Sequence, residues 1–233
     1  MGTPLYSVIC PFYNEKLCLV ELYSRLTKVM RGLGSPYEIL FINNGSDDGG
    51  DALLKVAIGK DPSASVVDML RRGKTTATYR GLQVAGGDIL ITIDSDLQNP
   101  PEEIPKLIYL LGDYDMVLGI RRDRKDTFVK KVVGSIANRI RRMLLGDHII
   151  DIGCSLRVFR RAVSGSLVPR EGMLRFFPAI AERQGFRIIQ VPVEHNRRIY
   201  GISKYGILGR LWESIAGIPS ALRTIRSNER HKI

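Results

Sequence analysis

Asp94 and Asp96 stand one residue apart where the apolar run Ile89-Leu90-Ile91-Thr92-Ile93 stops, and Leu97-Gln98-Asn99-Pro100-Pro101-Glu102 follows. In a strand, residues i and i+2 project to the same side. The spacing therefore predicts two carboxylates meeting at the strand's C-terminal edge. Like charges that close repel unless a cation lies between them. Hard oxygen donors suit Mg²⁺ or Mn²⁺, held by one or two carboxylates plus substrate phosphates. Gln98 adds a neutral oxygen, so the expected metal ligands are Asp94, Asp96 and Gln98. Asn99 is expected to cap the next helix, with the two prolines at its start and Glu102 and Glu103 in its first turn. A bare Asp-x-Asp is also an ordinary acidic turn. The apolar run before it and Pro-Pro-Glu after it favour the chemical reading.

Such residues need a scaffold. Strand-like runs at 6–10, 38–42, 65–69, 88–93 and 116–119 alternate with helix-like runs at 16–30, 51–58, 75–85 and 102–111. This βαβα order predicts an α/β fold, a mostly parallel sheet with helices on both faces. Ligands of such sheets bind beyond the C-terminal strand ends. Pro11, Asn43, Asp94 and Gly119 fall at those ends and are expected on one edge. The second half is less regular. Residues 128–145 form an amphipathic pattern, with Phe128, Val129, Val132, Val133, Ile136 and Ile140 as its apolar stripe. A short run at 156–159, a helix near 173–184 and a strand at 186–194 follow. A second amphipathic helix spans 207–225, and the expected division is a domain over 1–206 with a basic helical tail over 207–233.

The chain has 233 residues, 44% of them hydrophobic, enough for one large domain with a real core. No apolar run approaches the roughly 18 residues of a membrane span. The N-terminus lacks the basic and apolar regions of a signal peptide. Three cysteines without CxxC spacing argue for a reducing cytosol and against a disulfide or zinc framework. The net charge of +11 calls for an anionic partner: nucleic acid, anionic lipid or a phosphorylated substrate. Nine basic residues fall between Arg121 and Arg142 against Asp123 and Asp126. They lack interleaved aromatics and match no nucleic-acid motif, so a nucleic-acid partner is not expected.

The remaining strand ends carry Pro11-Phe12-Tyr13-Asn14-Glu15, Asn43-Asn44-Gly45-Ser46-Asp47-Asp48-Gly49, Arg71-Arg72-Gly73-Lys74, Gly119-Ile120-Arg121-Arg122 and Arg198-Ile199-Tyr200-Gly201-Ile202-Ser203-Lys204-Tyr205. Together with the aspartate block, and in this order over about residues 5–206, this set resembles the inverting family-2 glycosyltransferases of the GT-A (Rossmann-like) fold. It is most similar to the branch of dolichol-phosphate mannose synthases and undecaprenyl-phosphate sugar transferases. Asp151-x-Gly153-Cys154-x-Leu156-Arg157 looks most like the bacterial lipid-A-sugar side of that branch.

The resemblance implies transfer of a sugar from a UDP- or GDP-sugar to a polyprenyl phosphate, with inversion, for cell-envelope glycan or lipid A modification. It implies a donor site of Pro11, Tyr13, Glu15, Asn44, Lys74, Asp94, Ser95, Arg198, Ser203 and Lys204. Tyr13 would stack, Glu15 would accept ribose hydroxyls, and Lys74 would approach the pyrophosphate. The Arg198–Lys204 run would close over the donor. The acceptor phosphate would meet Arg121, Lys130, Lys131 and Ser135, a guanidinium fork suiting phosphate well. Asp96, Arg121 and Lys131 are the expected catalytic residues. Asn43-Asn44 departs from the family's usual aspartates; an Asn oxygen still accepts a base N–H. His195 reads as structural or direct, and Asp151 as a structural organiser or a base.

Members of the branch often carry transmembrane helices. Here the lipid is expected to be met peripherally, at the cytoplasmic face, through helix 128–145 or the Trp212-bearing tail. The tail's stripe equally suits the core or a homo-oligomer contact. Two further readings remain: a family-2 transferase acting on a glycan hydroxyl, which needs a base such as Asp151, and an inactive relative.

Overall fold

The computed structural model describes residues 4–122, 138–139, 141–197 and 217–230. Expectations on 123–137 and 198–216, including Lys130, Lys131, Ser135, Arg198, Ser203 and Lys204, lie outside the described residues.

Among the described residues, seven strands form one sheet: β1 (Tyr6–Phe12), β2 (Tyr37–Asn44), β3 (Ala64–Met69), β4 (Ile89–Thr92), β5 (Met116–Arg121), β6 (Arg157–Arg160) and β7 (Ile188–Val193), in the order β3-β2-β1-β4-β6-β5-β7. All pair in parallel except β6, which runs antiparallel between β4 and β5. Helices among the described residues include α1 (Lys16–Gly32), α2 (Gly50–Ile58), α3 (Lys74–Val84), α4 (Ile104–Leu110), α5 (Phe177–Arg183) and α6 (Ile218–Arg230).

β1 is buried along its whole length, as a strand covered on both faces must be. Its side chains alternate between two cores. Val8, Cys10 and Phe12 face Leu19, Leu22 and Leu26 of α1, whereas Ile9 joins Leu40, Ile42, Ala77 and Leu82 on the α3 side. The 3–4 spacing along α1 supplies its buried stripe. In α6, Ile218, Ala221 and Ile225 are buried in the second core with Phe176 and Phe177. The described part of the tail helix thus has its apolar face on the domain.

Successive connections lead from β1 outward to β3, then back across β1 to β4. The order reverses at β1 and β4, which is where a crevice opens in such sheets. The pairing of β1 with β4 stops at Ile9 and Thr92, while β1 runs on to Phe12 beside β2. Pro11 lies beyond the β4 partner, where its missing N–H costs no ladder bond on that side.

Three expectations change in the structure. β4 ends at Thr92 rather than at 93, so both aspartates lie in the turn beyond it. The helix expected at 102–111 begins as a tight turn over Pro101–Glu103, and that at 173–184 as another over Met173–Arg175. Proline in the first turn of α4 and α5 lacks an N–H, so the regular helix takes up only from there.

Candidate functional site

Beyond β4 the Ile93 amide still bonds to the Ile9 carbonyl at 3.1 Å, and then the chain turns. Asp96 Oδ1 accepts the Gln98 amide at 3.2 Å, an Asx-type turn, and Leu97 takes a φ of 59°. A turn, not strand alternation, therefore sets the two carboxylates. Both act on Cys10 beneath them: burial, then Asp94, then Asp96 push its thiol well up. Lys74, the first residue of α3, places Nζ 2.5 Å from Asp94 Oδ1. Burial alone would raise the Asp94 pKa. Lys74, the Ser155 hydroxyl and Arg157 outweigh it and hold the carboxyl below its usual range.

Ser155 ties this turn to β6. Its carbonyl accepts the Thr92 hydroxyl at 2.8 Å, and its Oγ accepts Asn99 Nδ2 at 2.9 Å. Asn99 is thereby corrected from helix cap to buried strut: the helical turn starts after Pro100, without a side-chain cap. Gln98 bonds to Asn196 in both directions, its carbonyl accepting the Asn196 amide at 2.8 Å and its Nε2 reaching the Asn196 carbonyl at 3.4 Å. The segment after β7, with His195, is fastened to the aspartate turn in this way.

The ends of β1 and β2 are stitched together. Asn14, at φ 52°, donates Nδ2 to Asp47 at 2.6 Å and accepts the Asp47 amide at 3.0 Å, while its own amide bonds to Ser46 Oγ. Asn44 Oδ1 accepts the Arg72 amide at 2.9 Å; Asn43 bridges Asp68 and the Ser46 amide. Gly45, at φ +73°, lets the two loops close: a Cβ there would lie 2.8 Å from the Arg71 nitrogen. Arg71 covers Tyr13, its guanidinium carbon 4.1 Å from the ring centroid and Nη1 2.8 Å from the hydroxyl. Pro11 and Ser95 are buried, and Glu15 lies just before α1 at the same edge.

At the end of β5, Arg121 forms a two-pronged pair with Asp151: Nε to Oδ2 and Nη2 to Oδ1, each 2.8 Å. The Arg121 and Gly153 amides also reach the carboxylate, at 3.2 and 3.1 Å. Burial works against the Arg121 charge, but Asp151 outweighs it and raises the pKa. Arg157 lies fully beneath, donating to the carbonyls of Cys154, Leu174 and Ile152 at 3.0, 2.9 and 3.2 Å. Burial lowers its pKa to about 10, so it stays charged at neutral pH.

Asp94, Asp96, Gln98, Lys74, Tyr13, Glu15, Asn44 and Arg121 thus share the C-terminal edge of the sheet. The sequence reading passed over Ser155 as a link and Arg157 as a buried cation, although both fall in the Asp151–Arg157 run. It also missed Glu171, whose Oε2 accepts the Thr75 amide at 3.2 Å at the start of α3. Nothing in the sequence signals that long-range cap. Among the described residues no three His, Cys, Asp or Glu side chains cluster as a metal cage. The oxygen donors of the aspartate turn, one already beside an ammonium, nonetheless fit a hard divalent cation that shares its shell with phosphate oxygens.

The model of glycosyl transferase family 2 matches residues 7–167. An undecaprenyl-phosphate 4-deoxy-4-formamido-L-arabinose transferase from Aeromonas hydrophila is 37% identical over 207 residues, which is 88% of this chain and 64% of that protein. The chain thus spans less than two thirds of that relative's length. A crystal structure of a mycobacterial protein superposes with a TM-score of 0.72 at 21% identity, covering 95% of this chain and 74% of that one. Glucosyl-3-phosphoglycerate synthase from Mycobacterium tuberculosis, in complex with Mn²⁺, UDP and phosphoglyceric acid, gives 0.70 at 22% identity, with coverages of 97% and 78%. These structures share the α/β fold, and the chain belongs to glycosyl transferase family 2.

Proposed function

We propose that this chain transfers a sugar, with inversion, from a UDP- or GDP-sugar to a polyprenyl phosphate. The observation that carries the reading is the Arg121–Asp151 pair. The carboxylate weighed as a general base is committed to a guanidinium on the same edge as Asp94 and Asp96. A hydroxyl acceptor needs a base. A phosphomonoester, with a second pKa of about 6, is already ionised near neutral pH. Positioning and charge stabilisation then suffice.

The chain's residues divide the work. Tyr13, Glu15 and Asn44 hold the nucleoside, and Lys74 and Ser95 approach the diphosphate. Arg121 grips the attacking phosphate, with Lys130, Lys131 and Ser135 assigned to the same group. Arg198, Ser203 and Lys204 close over the donor. Asp94, Asp96 and Gln98 would hold Mg²⁺ or Mn²⁺, which supplies Lewis-acid stabilisation of the departing diphosphate. The glucosyl-3-phosphoglycerate synthase structures with Mn²⁺ or Mg²⁺ and UDP support the use of a divalent metal in general, and the Aeromonas relative supports the lipid acceptor.

The lipid would be met at the cytoplasmic membrane face, for cell-envelope glycan or lipid A modification. A shallow cavity of about 450 Å³ lined by Arg139, Arg142, Met143, Asp147, His148 and Ile150 supports this. Exposed Met143 and Ile150 among arginines suit an anionic interface. No described helix is long and apolar enough to cross a membrane.

The test is transfer from radiolabelled UDP- and GDP-sugars to undecaprenyl phosphate with Mg²⁺ or Mn²⁺, beside Asp96→Asn. A lipid-linked product reduced at least about 100-fold in the variant is expected, the scale of losing one transition-state charge contact. Transfer to a glycan hydroxyl but not to the phosphate would overturn the reading. Binding of no donor at all would favour an inactive relative.

A further inference from the structure

The Asp151-Ile152-Gly153 turn holds Arg121 more tightly than a salt bridge requires. Asp151 engages the Nε and Nη2 edge of the guanidinium and the Arg121 amide at once, fixing side chain and main chain on one carboxylate. Oδ1 also accepts the Gly153 amide, so the turn is shaped around the same group. A Cβ at Gly153 would lie 2.5 Å from Arg121 Nη2 and 3.4 Å from Asp151 Oδ1. A larger residue there would push the end of the fork aside. Arg157 grips the same turn from below, through the Ile152 and Cys154 carbonyls. Arg121 and Asp151 cancel in charge. Arg157 adds a positive charge buried behind the turn, which it shares with Asp94. The arrangement fixes the direction of a guanidinium and keeps a second cation behind it.

We propose that Asp151 is the positioning residue of the acceptor site. It holds Arg121 so that the Nη1 edge, which bonds to no described residue, meets the acceptor phosphate, and Arg157 supplies the charge that Asp151 would otherwise remove. This rests on the polyprenyl-phosphate reading above. A guanidinium already held in place loses less side-chain freedom when it takes the phosphate. The contribution therefore falls on acceptor binding, not on proton transfer.

The test is steady-state kinetics of Asp151→Asn, with KM for undecaprenyl phosphate, KM for the donor and kcat measured across pH. The expected result is an acceptor KM raised about tenfold or more, the scale of one hydrogen bond to a charged group. kcat should stay within a few-fold, with the donor KM and the shape of the pH profile unchanged. Asp151→Glu is expected to recover part of the acceptor KM. A large fall in kcat, with loss of the acid limb of the profile and an unchanged acceptor KM, would make Asp151 a base and overturn the proposal. An unchanged acceptor KM with normal kcat would overturn it as well.

If Asp151→Asn does not fold, Arg121→Lys carries the same comparison. It keeps the charge and loses the fork, and the same rise in acceptor KM is expected. Wild-type protein is assayed in parallel with undecaprenol in place of the phosphate. Transfer to the alcohol alone would bring down the acceptor reading itself. Normal phosphate transfer with an unaffected Asp151→Asn would bring down only this inference.

Discussion

The Lys74 ammonium lies 2.5 Å from Asp94 Oδ1, joining the first residue of α3 to the turn after β4. An oxygen assigned to a divalent ion thus already sits against a cation of the chain itself. With donor bound, the same lysine would have the diphosphate as a second anion within reach. Lys74→Met should therefore weaken UDP binding by about tenfold in calorimetry with Mn²⁺ present, the scale of one charge-assisted contact. Unchanged UDP affinity would remove Lys74 from the donor site.

Gly153→Ala addresses the turn that holds Arg121. The new methyl would press on Nη2 and Cζ of Arg121 and touch the Asp151 carboxylate. Overpacking of this kind costs about 1–3 kcal/mol, to be read in urea unfolding. The acceptor KM should rise with it, because the guanidinium must move aside. A variant as stable as wild type, with normal kinetics, would show that the fork tolerates the displacement.

Asp61 offers a pH prediction far from the site. It accepts the Ser63 amide at 2.9 Å, the Ser63 hydroxyl at 2.6 Å and the Tyr23 hydroxyl at 2.8 Å, and Arg31 lies 3.7 Å away. Burial alone would raise its pKa, but these partners outweigh it and lower it. The folded value therefore lies below the unfolded one of about 3.9. The stability it contributes is present above that pH and is lost as pH falls through the folded value. Asp61→Asn should cost about 1–2 kcal/mol near pH 7, with the gap to wild type closing below about pH 4. A gap that stays constant across that range would exclude the charge as its origin.

Arg141 and Asp147 form a buried pair at 2.7 Å. Burial lowers the arginine's pKa and raises the aspartate's. Arg141 Nε and Asp147 Oδ2 find no partner among the described residues. Removing one member strands the other, so Asp147→Leu should cost about 3–5 kcal/mol in denaturant unfolding. Arg141→Met added to it should restore much of the loss. Additive losses would show that the pair itself is strongly stabilising.

The sheet was legible because its strands are short β-branched runs at regular distances from helical stripes, as at Tyr6–Phe12 and Lys16–Gly32. The edge carrying Asp94, Lys74 and Arg121 followed from that order alone. Less legible was everything set by one long-range polar contact. Asn99 has a cap's composition and place, yet its amide is taken by Ser155, 56 residues away. Asp94 and Asp96 share an edge through a turn whose Leu97 adopts a left-handed conformation, which no pattern of hydrophobicity marks. Asp151 left both brace and base open, the brace favoured, because its partner lies 30 residues back in sequence.

The reversed direction of β6 has a separate consequence. β5 ends at the C-terminal edge and β6 begins there, so the segment between Arg121 and Arg157 leaves and re-enters the sheet on one side. Both of its roots are anchored, one by the Arg121–Asp151 pair and the other by Ser155 on Thr92 and Asn99. A segment held this way can lengthen, shorten or change composition without shifting any strand register. On the function proposed above, descent within such a fold would exchange what receives the sugar while the half assigned to the nucleotide stays as it was.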